Sequence, residues 1–197
     1  MMQYFEWYLP SDFGLWKKIL EESKNISDIG ITSVWLPPAY KASDGINGVG
    51  YAVYDLYDLG EFDQKGAIRT KYGTKEEYLN AIKSLQENGV KVFADIVLNH
   101  RLGADGTEEV YAIEDLPSDR NVDISKPFPI QAWTKYEFPG RRGKYSDFKW
   151  NWTHFHGVDW DEFQKRSSIY KFYGKHWDKD VDKENGNFDY LMGADID

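Results

Sequence analysis

The chain has 197 residues, of which 41% are hydrophobic, 29% are charged and none is cysteine, and its net charge is −9. No apolar run approaches the roughly 18 residues of a membrane-spanning helix, and the lack of cysteine excludes disulfides and thiolate metal sites. The negative charge argues against nonspecific binding to nucleic acid or to an anionic membrane. Aromatic residues make up 17% of the chain, and flat rings can fill a core or stack on the apolar faces of sugars.

The first hundred residues alternate between strand-like and helix-like patterns. A strand is predicted over residues 2–8, a helix over residues 15–30 and a buried strand over residues 31–38. After a loop of residues 39–73, Thr74 and Glu77 have the spacing of a capping box that begins a second helix. That helix is predicted to end at Gly89, before a third strand over residues 90–98. The apolar stripe of the first helix comprises Trp16, Ile19, Leu20, Ile26 and Ile29.

This alternation predicts an α/β fold with a parallel sheet covered on both faces. A doubly wound sheet and a (β/α)8 barrel both fit, and both bind ligands beyond the carboxyl ends of the strands. Pro37, Asn99 and His100 are therefore expected at a functional edge of the sheet. Residues 103–197 lose the periodicity but are too numerous for an ordinary loop. They predict an irregular, β-rich inserted domain, with KYSDFKW and IYKFYG as short strand-like pieces.

Several motifs could carry other chemistry, but each lacks a required part. GVGYAV (residues 48–53) has neither a preceding strand nor the third glycine of a dinucleotide fingerprint. His154 and His156 lack an evident third zinc ligand, and no serine lies in a G-x-S-x-G context.

An acidic run at residues 178–189 resembles an EF-hand loop, but Lys183 stands where the turn needs glycine. The nearby Asp189, Asp195 and Asp197 could still gather around a hard cation such as calcium. A solvated acidic surface is the alternative interpretation.

Six segments together carry a resemblance to a known family. They are MMQYFEWYLP, GITSVWLPPAYK, GYAVYDLYDLGEFDQKGAIRTKYGT, ADIVLNHRLGAD, FPGRRGKYSDFKWNWTHF and ENGNFDYLMGADID. In this order the segments resemble the bacterial liquefying-type α-amylases of the retaining α-glucosidase family. The resemblance implies that residues 1–102 form the first three βα units of a (β/α)8 TIM barrel. Residues 103–197 would form a calcium-binding domain inserted after the third strand.

The resemblance also implies roles for individual residues. Asp95 would support the third strand, and Asn99, Asp189 and Asp195 would bind a structural calcium ion. Related sequences have an acidic residue in place of His156, beside the counterparts of Asp178, Asp195 and Asp197 in an accessory cation cluster. We therefore expect one calcium ion and a weakened or absent accessory cluster. The residues expected to bind or support the binding of substrate are Gln3, Tyr4, Trp7, Tyr51, His100 and Leu191.

The activity that the resemblance implies is endo-hydrolysis of α-1,4-glucosidic bonds in starch or glycogen, with retention of configuration. The catalytic Asp, Glu and Asp of the family are expected after Asp197, so the 197-residue chain alone is predicted to be inactive. Its expected partners are an α-glucan and the remaining C-terminal part of the barrel. The sequence does not decide between a cytoplasmic and a secreted protein, although its start at the first strand favours the cytoplasm.

Two non-catalytic alternatives remain open at this point. One is a calcium-dependent glucan-binding chain. The other is a partner-binding relative of the same fold, like the heavy subunits of amino-acid transporters, which carry a membrane helix before the barrel.

Overall fold

The computed structural model describes residues 1–178 and 191–197, and the chain divides into two compact units. The first unit comprises Met1–Val97 and Phe138–Asp147, and the second comprises Leu98–Glu137 and Phe148–Asp197. These units share most of their residues with the predicted domains, whose identities as a barrel portion and a calcium-binding insert stay predictions. None of the helices in the described residues is long and apolar enough to span a membrane.

A three-stranded parallel sheet with two helices forms the centre of the first unit. The elements in chain order are β1 (Met2–Gln3), α1 (Leu15–Asp28), β2 (Ser33–Leu36), β3 (Lys41–Ala42), β4 (Val53–Asp55), α2 (Lys75–Glu87) and β5 (Lys91–Ala94). The parallel strands lie in the order β1-β2-β5, while β3 and β4 form a separate antiparallel pair. The predicted α/β class is therefore confirmed.

The two helices follow most of their sequence signals. Trp16 is fully buried on α1, and the side chain and backbone of Thr74 and Glu77 form the predicted reciprocal cap of α2. The expected burial of Leu20 and Ile29 is wrong, because their side chains are 43% and 64% exposed. Leu20 lies beside the buried stripe, and Ile29 follows the last helical residue.

Both outer strands of the parallel sheet are shorter than predicted. The backbone N–H of Tyr4 still donates to the carbonyl of Trp35 at 3.0 Å, but beyond it the chain turns away from β2. At the other edge Asp95 donates its N–H to the carbonyl of Leu36 at 3.2 Å, one residue past the end of β5. The N–H of Val97 then donates to the hydroxyl of Tyr40 at 3.0 Å, so a side chain replaces the strand ladder.

Buried charges organise the long loop between β2 and α2. The Asp55 Oδ2 atom accepts hydrogen bonds from Arg141 Nε and Gln64 Nε2, both at 3.0 Å. Gln64 Nε2 also donates to Asp58, whose Oδ2 atom lies 3.4 Å from the Lys41 Nζ atom. Burial lowers the pKa of the Lys41 ammonium, and the charge of Asp58 opposes that effect. The ammonium also donates to the carbonyls of Phe62, Ala67 and Ile68.

The second unit is an antiparallel sheet. Its strands are β6 (His100–Arg101), β7 (Gly106–Leu116), β8 (Asp119–Asp123), β9 (Phe128–Lys135), β10 (Phe155–Asp161), β11 (Arg166–Phe172) and β12 (Ala194–Ile196). They lie in the order β6-β12-β10-β11-β7-β8, and β9 pairs with the other part of β7. Alternate side chains along β7, β9 and β11 fill the core of this unit. They include Val110, Ala112, Ile130, Ala132, Tyr170 and Phe172.

This part of the chain is more regular than its sequence suggested. The strand-like piece IYKFYG is confirmed for residues 169–172, which belong to β11, while Tyr173 and Gly174 form a turn. The prediction of a strand over KYSDFKW (residues 144–150) is wrong, because this region turns and only Trp150 makes a β-bridge, to Tyr136. Tyr145 has a positive φ angle there, which is incompatible with an extended strand.

Asp115 is a buried carboxylate in the second unit. Its Oδ2 atom accepts a hydrogen bond from Trp177 Nε1 at 2.7 Å, and its Oδ1 atom lies 3.2 Å from the Lys171 ammonium. Lys171 also donates to Asp123 at 2.5 Å. Burial outweighs these partners and raises the pKa of Asp115 from 3.8 to about 6.

Arg141→Met should lower the free energy of unfolding by roughly 3–5 kcal/mol, because it leaves the buried Asp55 without its guanidinium. The neighbouring Arg142→Met is a matched control, since the Arg142 side chain is exposed. Urea unfolding of the two variants measures the difference. Equal midpoints for both variants would show that the Asp55 ion pair does not stabilise the chain.

Asp115→Asn should reduce the loss of stability that accompanies a rise in pH. The native state retains the Asp115 proton above the unfolded-state pKa of 3.8, so the stabilisation is lost as pH rises through the folded pKa of about 6. Between about pH 4.5 and about pH 7 the free energy of unfolding should fall by on the order of 1–2 kcal/mol less in the variant than in the unmodified chain. Denaturant midpoints at the two pH values measure this. Glu109→Gln, at an exposed position of β7, should retain the original dependence.

Candidate functional site

An exposed aromatic pair stands out in the first unit. The rings of Trp7 and Tyr51 are parallel within 6°, with centroids 5.7 Å apart, and Trp7 is 59% exposed. The Tyr51 hydroxyl donates to the Asp95 Oδ2 atom at 2.9 Å. Burial, followed by this hydrogen bond, raises the pKa of Tyr51. The tyrosine is therefore a neutral ring held in a fixed orientation by Asp95, which was predicted to support the third strand.

Gln3 and Tyr4 make contacts elsewhere and are not part of this aromatic pair. Gln3 Nε2 donates to the carbonyl of Phe5 at 2.8 Å, and its side chain is exposed. Tyr4 packs against the hydrophobic core, and burial and then the charge of Glu22 raise its pKa. The structure brings together Trp7, Tyr51 and Asp95, while the roles predicted for Gln3 and Tyr4 stay predictions.

GVGYAV has a structural explanation within the same loop. A Cβ atom on Gly50, where φ is +105°, would lie 2.5 Å from the Cβ atom of Pro38. One on Gly48 would lie 2.4 Å from the Cβ atom of Ala42. Both glycines are therefore needed for close approach of the backbone immediately before Tyr51.

In the second unit, β6 and β12 bring several predicted residues together. His100 is the register partner of Asp195, and the Asn99 carbonyl accepts a hydrogen bond from the Ile196 N–H at 3.0 Å. The Asn99 side chain is exposed. Leu191 is half-buried, Asp178 is exposed, and Asp189 lies outside the described residues.

Asp195 and Asp197 both face His156. The Nδ1 atom of His156 lies 3.2 Å from Asp195 Oδ2, and its Nε2 atom lies 2.8 Å from Asp197 Oδ1. A hydrogen bond from Lys175 lowers the pKa of Asp197, and His156 contributes in the same direction. Within residues 1–178 and 191–197, no three histidine, aspartate or glutamate side chains are grouped so as to hold a metal ion.

A cavity of about 350 Å3 opens in the second unit. Trp133 and Trp160 line it, together with Arg101, Tyr136 and Asp159. Burial raises the pKa of Asp159, whose Oδ2 atom accepts the Gly193 N–H at 2.9 Å.

A single carboxylate orients the two indole rings of this cavity. Trp133 Nε1 and Trp160 Nε1 donate to the Glu162 Oε2 atom at 3.1 Å and 2.9 Å. Hydrogen bonds from Lys165 and then from these indoles lower the pKa of Glu162 to about 2. The rings thus present a predominantly apolar wall with polar groups at its margin, an arrangement that suits a neutral, hydroxyl-rich ring compound.

Trp133, Trp160 and Glu162 were not among the residues predicted from the sequence. The pattern Ala132-Trp133-Thr134 contains a usable signal, because a large ring between two small residues of a strand marks the outward face. The hydrogen bond from Trp133 to Glu162 joins two residues that are 29 positions apart, and no local pattern predicts such a contact.

Sequence comparisons with known proteins match most or all of the chain. The model of the family described as alpha amylase, catalytic domain, matches residues 3–188. An α-amylase of Geobacillus stearothermophilus is 62% identical, with all of this chain and 36% of the relative aligned. An α-amylase of Bacillus licheniformis is 57% identical, with all of this chain and 38% of the relative aligned. The chain therefore spans little more than a third of the length of these curated relatives.

Solved structures with a similar fold include an alternansucrase. Truncated alternansucrase from Leuconostoc mesenteroides superposes with a TM-score of 0.59 and 28% sequence identity. The match covers 70% of this chain and 13% of the alternansucrase chain.

Proposed function

The chain belongs to the α-amylase family, and on this premise we propose that it is the N-terminal portion of an enzyme that hydrolyses internal α-1,4-glucosidic bonds of starch or glycogen. The observation that carries the proposal is 62% and 57% identity over the whole chain to proteins named α-amylase. In this proposal the chain contributes substrate recognition and a calcium site, and the remaining polypeptide contributes the catalytic carboxylates.

The aromatic pair of the first unit would bind a glucosyl ring by stacking. An aromatic face attracts the apolar face of a pyranose, and the hydrogen bond from Tyr51 to Asp95 keeps the ring from rotating. Fixing the ring before the substrate arrives reduces the conformational entropy lost on binding. Trp7, stacked on Tyr51 and exposed, extends this surface.

The cavity of the second unit would bind further glucosyl residues. Its volume of about 350 Å3 lies in the usual range for small-molecule sites. Trp133 and Trp160 would stack on sugar faces, and Asp159 and Arg101 would accept from and donate to sugar hydroxyls. His100, on β6 next to Arg101, is proposed to contact substrate as the family resemblance implies.

We further propose calcium as the cofactor. Asn99 immediately precedes β6, Asp195 lies on the neighbouring strand β12, and both offer the oxygen donors that calcium prefers. These residues fit the ion, with Asp189, outside the described residues, as the third proposed ligand. When bound, the ion would supply the positive charge that joins β6 to β12.

Retaining hydrolysis requires a nucleophilic carboxylate and an acid/base carboxyl group roughly 5 Å apart. The first attacks the anomeric carbon while the second protonates the leaving oxygen, and water then displaces the enzyme with the second group acting as base. We assign neither role to a residue of this chain. Those of its acidic residues that lie in the family motifs correspond to metal-binding or supporting positions. The chain alone is therefore proposed to be inactive.

The proposed structural partner is the remaining part of the barrel. Parallel strands are normally buried on both faces, but Phe93 on β5 and Ile96 beyond it are 52% and 60% exposed. A further strand and helix covering this edge would bury both side chains. The same exposed edge also favours the alternative of a non-catalytic chain that binds glucan or a protein partner.

A chimera tests the proposed activity. This chain replaces the aligned portion of the Geobacillus stearothermophilus α-amylase, and reducing ends released from starch are measured. We expect hydrolysis by the chimera and none by the 197-residue chain. A folded chimera without activity would favour the non-catalytic alternative, whereas hydrolysis by the chain alone would overturn the assignment of the carboxylates.

Trp133→Ala and Trp160→Ala should each weaken binding of maltohexaose by about tenfold, since loss of an aromatic platform costs on the order of 1 kcal/mol or more. Isothermal titration of the full chain measures the dissociation constants. Tyr173→Ala is the control, because Tyr173 is an exposed ring that does not line the cavity. Equal affinities for all three variants would remove the cavity from the proposed site.

A further inference from the structure

The carboxylate of Asp197 is shared by two basic side chains. Its Oδ1 atom lies 2.8 Å from the Nε2 atom of His156, and its Oδ2 atom accepts a hydrogen bond from the Lys175 ammonium. The second ring nitrogen of His156 lies 3.2 Å from Asp195. Lys175 also donates to the carbonyl of Thr153 at 2.8 Å. Both carboxylate oxygens of Asp197 therefore contact nitrogen donors.

These contacts join three parts of the second unit. His156 is on β10, Lys175 follows β11, and Asp195 and Asp197 belong to β12 or immediately follow it. Backbone hydrogen bonds reinforce the connection, because the N–H of Asp197 donates to the carbonyl of His154 at 3.0 Å. The group thus fixes the end of β12 against β10.

The two carboxylates have basic partners without an added ion. One ring nitrogen of His156 contacts each carboxylate, and the Lys175 ammonium supplies a positive charge at Asp197. The four side chains are partly shielded from water, with exposures between 13% for His156 and 41% for Asp197. A divalent cation placed here would meet the Lys175 ammonium and would have to displace it and the imidazole from the carboxylates.

We propose that His156 and Lys175 form a metal-independent clamp on Asp195 and Asp197, in the position where related sequences are expected to hold an accessory cation cluster and where we expected this cluster to be weakened or absent. Asp197 then acts as an acceptor for basic side chains and not as a metal ligand. The ammonium and imidazole groups perform the cross-linking that a metal ion would otherwise perform. This inference does not depend on glucan hydrolysis, and it leaves Asn99 and Asp195 as candidate ligands of a separate calcium ion.

Stability without metal gives the first test. After dialysis against a chelator, Lys175→Met and Asp197→Asn should each lower the melting temperature of the full chain by several degrees. Their effects should not add in the double variant, because both remove the same contact. Lys175→Arg should retain most of the stability, and the exposed Lys126→Met is the control. Equal melting temperatures for Lys175→Met and Lys126→Met would overturn the clamp.

Terbium binding gives the second test and separates the clamp from the proposed calcium site. The ring of Trp177 lies 6.3 Å from that of His156, so tryptophan-sensitised emission reports an ion bound here. In an Asn99→Ala background, the chain with the intact clamp should show no sensitised emission. Adding His156→Asp and Lys175→Met should create a terbium site, because these changes remove an ammonium and replace an imidazole with a third carboxylate.

Two outcomes of the terbium test would contradict the proposal. The first is emission from the Asn99→Ala chain that Asp197→Asn abolishes, since Asp197 would then be a metal ligand. The second is the absence of new emission from a His156→Asp, Lys175→Met chain whose circular dichroism is unchanged. Loss of calcium binding in Asn99→Ala alone concerns the proposed calcium site and leaves the clamp untouched.

Discussion

The burial of Asp55 is the constraint on which the first unit depends most. A carboxylate removed from water must be paired, and here its partners are Gln64 in the same loop and Arg141, which lies 86 residues further along the chain. Asp58 and Lys41 extend the same network. The result is that a loop of more than thirty residues has a defined conformation. Tyr51 lies in this loop, four residues before Asp55, so the paired charges help to fix the backbone that carries the aromatic pair.

The second unit uses carboxylates differently. Glu162 orients two indole rings from the surface, and Asp159 accepts a backbone N–H beside the cavity. Asp195 and Asp197 are held by basic side chains at the end of β12. These acidic residues therefore hold indole rings, a backbone amide and basic side chains of the same unit in place.

The sequence predicted those features that depend on neighbouring residues. The cap formed by Thr74 and Glu77, the buried face of α1 around Trp16 and the α/β class all follow from local patterns. Strand ends were less predictable, since β5 stops at Ala94 and the hydroxyl of Tyr40 accepts the N–H of Val97 three residues later. That contact depends on the tertiary fold.

The candidate site residues divide between local and tertiary signals in the same way. Trp7, Tyr51 and Asn99 were predicted from motifs that resemble a family, and their roles stay predictions. Trp133 and Trp160 were not predicted, because their shared acceptor, Glu162, becomes evident only when β9 and β10 are folded. The partnership of Lys175 with Asp197 spans 22 residues and has no sequence signature.

The assignment of Phe138–Asp147 to the first unit has a consequence for recombination between relatives. A crossover that exchanged residues 98–197 as one block would replace Arg141 together with the second unit. The donor sequence would then have to provide a guanidinium for a recipient Asp55, or leave that carboxylate buried alone. Viable shuffled genes should therefore carry additional breakpoints near residues 137 and 147, or retain a compatible arginine between them.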